Sequence, residues 1–244
     1  MNFISKRADV DKTAYIGKGV VILGPTVISR GVIIEDYSII GKPSLDELYR
    51  FRDMKNKKRT YYDYDACVKS TTIIEEDCII GRNSALYSGC HLGCKVECED
   101  NTRVGYDTTI GENTRIMYNA LIYNRVSIGH HCCISGFCCN DTKIGDYVSM
   151  FGQTVHSYLS YPINATKRRN PSPRIFNGVT IGFGSQIIGG ISIGEFSYVT
   201  AGTVVSKDVP PKTVVTGVNL QCPLENWKGK LRERYLPFQA KKDE

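Results

Sequence analysis

The sequence contains no run approaching the roughly 18 to 20 consecutive apolar residues that cross a bilayer. Its start, Met-Asn-Phe-Ile-Ser-Lys-Arg, also lacks the apolar core of an export signal. A membrane span is therefore not expected, and a cytoplasmic location is. Histidine is scarce, at four residues in 244, which leaves little material for a metal centre built on imidazoles. Excess charge is modest, a net +6, with Lys and Arg concentrated in segment 50–60, in Lys167–Arg169 and in the tail. By charge alone that suits a phosphorylated small molecule as well as nucleic acid.

Cysteine is the residue not in short supply. Ten cysteines would be a disulfide framework in a small secreted domain, but this chain is larger and shows no export signal, so reduced thiols are expected. Apolar residues at 41% and charged residues at 23% are ordinary for a soluble globular chain.

The strongest feature is an internal repeat of six residues. Ile16, Ile22, Ile28, Ile34 and Ile40 fall at that step, as do Ile74, Ile80, Leu86, Leu92, Cys98, Val104, Ile110, Ile116, Ile122, Ile128 and Ile134. Ile144 and Met150 continue it, and after an interruption so do Ile175, Ile181, Ile187, Ile193, Val199 and Val205. Gly often follows the aliphatic residue, as at Gly17, Gly81, Gly111 and Gly182, where a turn needs a backbone without Cβ constraints. Four positions after the aliphatic residue stands a small or β-branched one, such as Val32, Thr108, Ala120 and Ser197. Six residues provide a short strand and a turn. Three hexads then close one triangular coil, and coils stack with parallel strands pairing between them.

On these residues the chain, from about residue 10 to 218, resembles the left-handed β-helix acyltransferases of the hexapeptide-repeat superfamily. The expected fold is all-β: a left-handed parallel β-helix over 1–218 with projecting loops, followed by a tail at 219–244. In that tail Trp227, Leu231, Tyr235 and Leu236 stand at helical spacing within Leu224–Leu236, which predicts a short capping helix. The same period accounts for the cysteines. Cys78, Cys90, Cys132 and Cys138 fall in the small inward slot and Cys98 in an aliphatic slot, so they read as small hydrophobes. No metal is expected at Cys132, Cys133, Cys138 and Cys139, because adjacent cysteines point to different sides of a strand.

Function in a rigid coil is sought where the pattern breaks. Residues 43–71 leave the coil with Arg50, Arg52, Lys55, Lys57, Lys58 and Arg59, then Tyr61, Tyr62 and Tyr64. Such a segment suits either a nucleotide-linked acceptor or plain packing on the coil side. Between Ile134 and Ile144 the step is ten rather than twelve, which puts Asn140 and Asp141 at a distorted corner. An Asn-Asp pair there, in the subgroup acting on nucleotide-linked sugars, implies an acceptor-holding role for both, although these residues also simply favour turns. The third break, about 157–174, contains Tyr158, Tyr161, Asn164, Lys167, Arg168 and Arg169; Tyr158 and Arg168 are further acceptor-binding candidates.

The resemblance also implies a catalytic base. His156 stands just before the third break, ahead of the corner Val179-Thr180-Ile181-Gly182, and an imidazole suits proton removal from an attacking hydroxyl or ammonium. His156 also lies in the six-residue phase of Met150, so an inward filling role remains open. His131, with His130 after the corner Ile128-Gly129, is the second candidate base; His91 reads as structural.

After Val199 the chain runs Thr-Ala-Gly-Thr-Val-Val-Ser-Lys-Asp-Val-Pro-Pro-Lys-Thr-Val-Val-Thr-Gly-Val-Asn. This is similar to the family's closing motif, which lines a coenzyme A groove. Gly184, Ala201 and Gly202 are thereby implied beside the pantetheine arm, and Lys207 and Lys212 beside its phosphates.

The reading is thus an acetyl-CoA-dependent acyltransferase, in which acetyl-CoA is a co-substrate and no cofactor is held permanently. The acceptor is an amine or hydroxyl of a sugar, and the resemblance implies a homotrimer; neither nucleic acid nor a membrane span is expected as a partner. Two other classes share the coil: a γ-type carbonic anhydrase, which needs three histidines on one zinc in a pattern this chain matches poorly, and a non-enzymatic scaffold.

Overall fold

The computed structural model describes residues 1–53, 60–157, 170–217 and 220–226. Among the described residues three sheets of 10, 9 and 11 strands run along the molecule, parallel throughout except for the last strand of the third. The chain visits them in strict rotation: Phe3–Ile4 lies in the first face, Asp9–Val10 in the second, Tyr15–Ile16 in the third, and Val21–Ile22 returns to the first. Successive coils stack in register, Phe3 opposite Val21 and Ile22 opposite Ile40 on the first face, Glu97 opposite Arg115 on the third. The chain is therefore a parallel β-helix, and the hexad phase dictates it: most strands are two residues long, the first facing out and the second buried.

The buried residues form one continuous column. Ile22, Ile34, Ile40, Ile80, Leu86, Leu92, Ile116, Ile122 and Ile134 are fully buried. At about 25 cal/mol per Å² of apolar surface removed from water, this column dominates stability.

The small inward slot does more than save space. Ser38, Thr108 and Thr114 each donate their hydroxyl to a corner carbonyl of the next coil, that of Gly81, Tyr123 and Gly129 respectively. Cys78, Cys90 and Cys132 make the same contact with their thiols, to Gly93, Gly105 and Gly145 at 3.1, 3.0 and 3.1 Å. The slot thus accepts a small side chain, apolar at Val32 and Ala120 and a donor at the positions above, where these cysteines stand in for threonine as well as for a small hydrophobe. All ten cysteines are free thiols.

Two departures from the expected phase matter for the site. Between Ile134 and Cys138, and again between Met150 and Thr154, the corner is two residues short, so Cys138 pairs with Ile122 and Thr154 with Ile187 in the inward column. Cys138 therefore occupies a column position and not the small slot. The contraction lies at Ser135–Gly136, not at Asn140–Asp141, which form a regular corner with Asp141 in the left-handed region (φ 62).

Both long insertions leave at the same edge, between the first and second faces. The first folds into helices Leu45–Asp53 and Tyr61–Ala66, which capping boxes start: Ser44 with Glu47, and Thr60 with Asp63. Phe51, Tyr64, Cys67 and Val68 pack over Phe3, Val21, Leu23 and Ile39, so the helices cover the outer side of the first face. Two buried carboxylates pin them. Glu47 accepts from the Ser44 amide, the Lys69 amide and the Ser88 hydroxyl; Asp65 accepts from the Gly24 amide and the Ser5 hydroxyl.

At the far end Thr213–Thr216 turns back antiparallel into Leu220–Pro223, followed by a single 3-10 turn at Leu224–Asn226. The remainder of the expected capping helix, with Trp227, Leu231, Tyr235 and Leu236, lies outside the described residues. No helix among the described residues is long and apolar enough to cross a membrane.

Candidate functional site

The first–second edge gathers Asn140, Asp141 and His156. The two contracted corners put Thr154 in the column, so His156 falls out of the inward phase and projects at the edge, half-buried. Its Nε2 lies 3.0 Å from the backbone carbonyl of Asn140 in the preceding coil. A carbonyl only accepts, so Nε2 carries the proton and the lone pair of the neutral ring is on Nδ1. Ser172, where the chain returns from the second insertion, donates to the same carbonyl at 2.6 Å. Asn140 Oδ1 accepts the Asn124 amide at 2.9 Å, which fixes the corner from below.

Asp141 does not stand alone. Arg125, one coil down at the equivalent left-handed position, donates Nε and Nη2 to its two oxygens at 2.8 and 2.9 Å, and Nη1 to the Tyr106 hydroxyl at 2.6 Å. The Asp141 hydrogen bonds hold the Arg125 guanidinium further above its ordinary value, against the cost of partial burial. The repeat contains the signal for this pair: the two residues occupy the same corner position in successive coils. Ser172 carried no such signal.

Beneath the edge lies a buried polar cluster. Thr154 Oγ1 accepts the Cys139 amide at 2.9 Å, and Thr142 Oγ1 donates to the Cys139 carbonyl at 2.8 Å. Burial pushes the Cys139 thiol up, and it pushes Cys78 and Cys90 to about 12 and Cys132 to about 11. None of these four is a thiolate nucleophile at neutral pH.

His131 is elsewhere. It sits exposed on the second–third edge in the left-handed region (φ 56), stacked on the Tyr147 ring at 5.0 Å. The second face separates it from His156, so the two candidate bases do not share one site within a chain. His91 Nε2 faces Glu75 Oε1 at 2.7 Å, in keeping with a structural role. Among the described residues no three His, Cys, Asp or Glu side chains gather where an ion could bind. Tyr158 and Arg168 lie outside the described residues.

The residues expected beside the donor divide between edges. Gly184, Ala201 and Gly202 share the third–first edge, whereas Lys207 is on the first–second edge and Lys212 on the second–third; the two lysines do not converge within one chain. On the third–first edge the left-handed position is Gly19 and Tyr37 in the first coils, Asn83, Asn101 and Asn119 in the next three, and Gly184, Gly202 and Gly217 in the upper ones. A Cβ at any of these three glycines would meet nothing within 4 Å. The upper part of this edge is thus a track of exposed backbone. Lys212 instead borders a hollow of about 430 Å³ with Thr213, Gln221 and Glu225 at the terminal hairpin.

This fold and repeat define a hexapeptide-repeat β-helix protein, and the chain resembles the acyltransferases of that class. Its sequence is 30% identical to bifunctional protein GlmU of Mycobacterium bovis (strain BCG / Pasteur 1173P2) over 42% of this chain and 19% of that protein. It is 35% identical to galactoside O-acetyltransferase of Escherichia coli (strain K12) over 31% of this chain and 39% of that protein. With serine acetyltransferase of Buchnera aphidicola subsp. Schizaphis graminum the identity is 44%, over 26% of this chain and 24% of the other. The match spans well under half of each of these relatives. No protein-family model matches the chain. Among solved structures, the Francisella novicida UDP-N-acetylglucosamine acyltransferase superposes at a TM-score of 0.41 with 14% identity, covering 98% of this chain and 71% of that one. The Arabidopsis enzyme of the same name superposes at 0.39 with 18% identity, covering 95% and 77%.

Proposed function

We propose that this protein is an acetyl-CoA-dependent acetyltransferase whose acceptor is an amine or hydroxyl of a sugar, carried on a nucleotide. Two of the named sequence relatives are acetyltransferases, one of them acting on a galactoside. The observation that carries the catalytic assignment is the bond from His156 Nε2 to the Asn140 carbonyl, which leaves Nδ1 as the basic atom.

In this reading the acceptor nitrogen or oxygen attacks the thioester carbonyl carbon as His156 Nδ1 takes its proton. The tetrahedral adduct collapses with cleavage of the C–S bond, and coenzyme A leaves as thiolate, protonated by the imidazolium. No covalent enzyme intermediate forms, in keeping with the burial-raised thiols. Asp141, braced by Arg125, and Asn140 position the acceptor. The pantetheine arm lies along Gly184, Ala201 and Gly202, where the backbone can exchange hydrogen bonds with its amides. Lys207 and Lys212 act on the donor's phosphates from different subunits of a homotrimer, since one chain presents them on separate edges.

Release of coenzyme A thiol in the presence of a panel of amino and deoxy sugar nucleotides tests this. His156→Ala is expected to lower kcat by about 10²- to 10⁴-fold with acetyl-CoA affinity kept, while His131→Ala leaves kcat near the wild-type value. A reversed pattern moves the base to His131 and removes the first–second edge from the mechanism.

A further inference from the structure

On the outer side of the first face, between the helical insertion and the His156 coil, five side chains from consecutive coils stack edgewise up the molecule. Lys42 Nζ is 5.0 Å from the centre of the Tyr87 ring. The Arg103 guanidinium lies between two rings, 4.5 Å from that of Tyr87 and 4.4 Å from that of Tyr123, and Tyr123 meets Phe137 at 4.8 Å. All five are half-buried.

The electrostatics of this ladder are unbalanced. Arg7, Arg30, Arg52, Arg115 and Arg125 each pair with a carboxylate. Arg103 donates only to neutral acceptors, the Ile122 carbonyl at 2.9 Å and Asn124 Oδ1 at 3.3 Å, and neither Arg103 nor Lys42 has an acidic partner among the described residues. Burial works against ionisation of the Tyr87 hydroxyl, yet hydrogen bonds and charge from Lys42 and Arg103 pull it below the ordinary phenol range. Two cations thus flank one tyrosine ring, and among the described residues no carboxylate pairs with either of them. Rings on both sides hold the guanidinium plane in place before any ligand arrives.

We propose that Lys42, Tyr87 and Arg103 form a binding site for a diphosphate, that of the nucleotide carrying the acceptor sugar. The proposal rests on the acceptor reading given above. Position supports it. Coils are about 4.8 Å apart, and the Arg103 guanidinium reaches the coil of Ile122, two coils below His156. That separation of about 10 Å is what a hexose ring and its anomeric phosphate span. The same chemistry resides in the diphosphate of coenzyme A, but the exposed glycine track lies along the other border of the first face, so the acceptor is the assigned source.

Calorimetric titration of the full chain with UDP, inorganic pyrophosphate, uridine and coenzyme A tests the site without requiring turnover. UDP and pyrophosphate are expected to bind saturably, with uridine weaker by about tenfold or more, as loss of charge-assisted hydrogen bonds implies. Lys42→Gln and Arg103→Lys are each expected to weaken UDP by about tenfold, with acetyl-CoA affinity and melting temperature kept. Should Arg103→Lys unfold, Lys42→Gln decides alone. The proposal is overturned if neither UDP nor pyrophosphate binds, if uridine binds as well as UDP, if a folded variant binds UDP like wild type, or if coenzyme A displaces UDP one for one. Failure of the transferase reading shows instead as absent thiol release, with the UDP titration unaffected.

Discussion

At the scale of the residue, the fold is governed by what the inward slot accepts. Val and Ala fill it by size alone, as at Val32 and Ala120, whereas Ser, Thr and Cys also give a hydrogen to the corner carbonyl of the next coil, and at those corners a buried acceptor left short of its donor costs about 1–3 kcal/mol. Cys90→Ser is accordingly expected to change stability by less than about 1 kcal/mol, whereas Cys90→Val, of similar bulk to the thiol but without a donor, is expected to lose about 1–3 kcal/mol, both read from urea unfolding. A larger loss for Ser than for Val would show that the slot responds to polarity rather than donation. The column itself was legible in the sequence because aliphatic residues recur at one period. His156 was misphased for the opposite reason. Two residues are missing from each of two stacked corners, and extrapolating the period from Met150 across a contraction puts an edge residue inside. Arg125 was missed because the contracted corner leaves it 16 residues from Asp141, off the regular three-hexad step, although the two occupy the same corner position in successive coils.

At the scale of the element, the helical insertion is an appendage held to the coil by apolar packing and two buried carboxylates. Burial raises the Glu47 pKa, but the Ser88 hydroxyl, the Lys69 and Ser44 amides and the Ser44 hydroxyl outweigh it, and the folded value is depressed. A depressed carboxylate contributes stability that is fully present above its unfolded pKa, about 4.3, and is lost as pH falls through the lower folded value. The insertion is therefore expected to loosen only below about pH 4, before the coil melts, as read by amide exchange in helices Leu45–Asp53 and Tyr61–Ala66. Glu47→Gln is expected to remove that acid step and to cost about 1–3 kcal/mol at neutral pH. An acid step retained in the variant would place the pH response elsewhere. The insertion was visible as a break in the repeat, and its basic and aromatic composition left its role open. What resolves part of it is burial of Glu47 and Asp65, acidic residues that composition alone assigns to solvent.

At the scale of the whole molecule, the coil is a ruler: each edge repeats one position every coil, so a change of residue type along an edge becomes a change of surface. The first–second edge carries both insertions, His156 and the Arg125–Asp141 pair. The third–first edge changes from Asn83, Asn101 and Asn119 to Gly184, Gly202 and Gly217, and in the proposed reading that exposed backbone takes the donor's pantetheine arm. The closing motif made these glycines legible, but it did not show that Lys207 and Lys212 stand on different edges, because four intervening residues and a corner turn the chain through one full face. The most direct measurement is calorimetric titration of acetyl-CoA into wild type and the double variant Gly184→Asn, Gly202→Asn. Asn already occupies the left-handed position lower on this edge, so the variant is expected to fold while placing two side chains in the track. The account predicts saturable binding to wild type, weakened by at least about tenfold, or 1.4 kcal/mol, in the folded variant. Absence of saturable binding to wild type, or equal binding by both proteins, would contradict it.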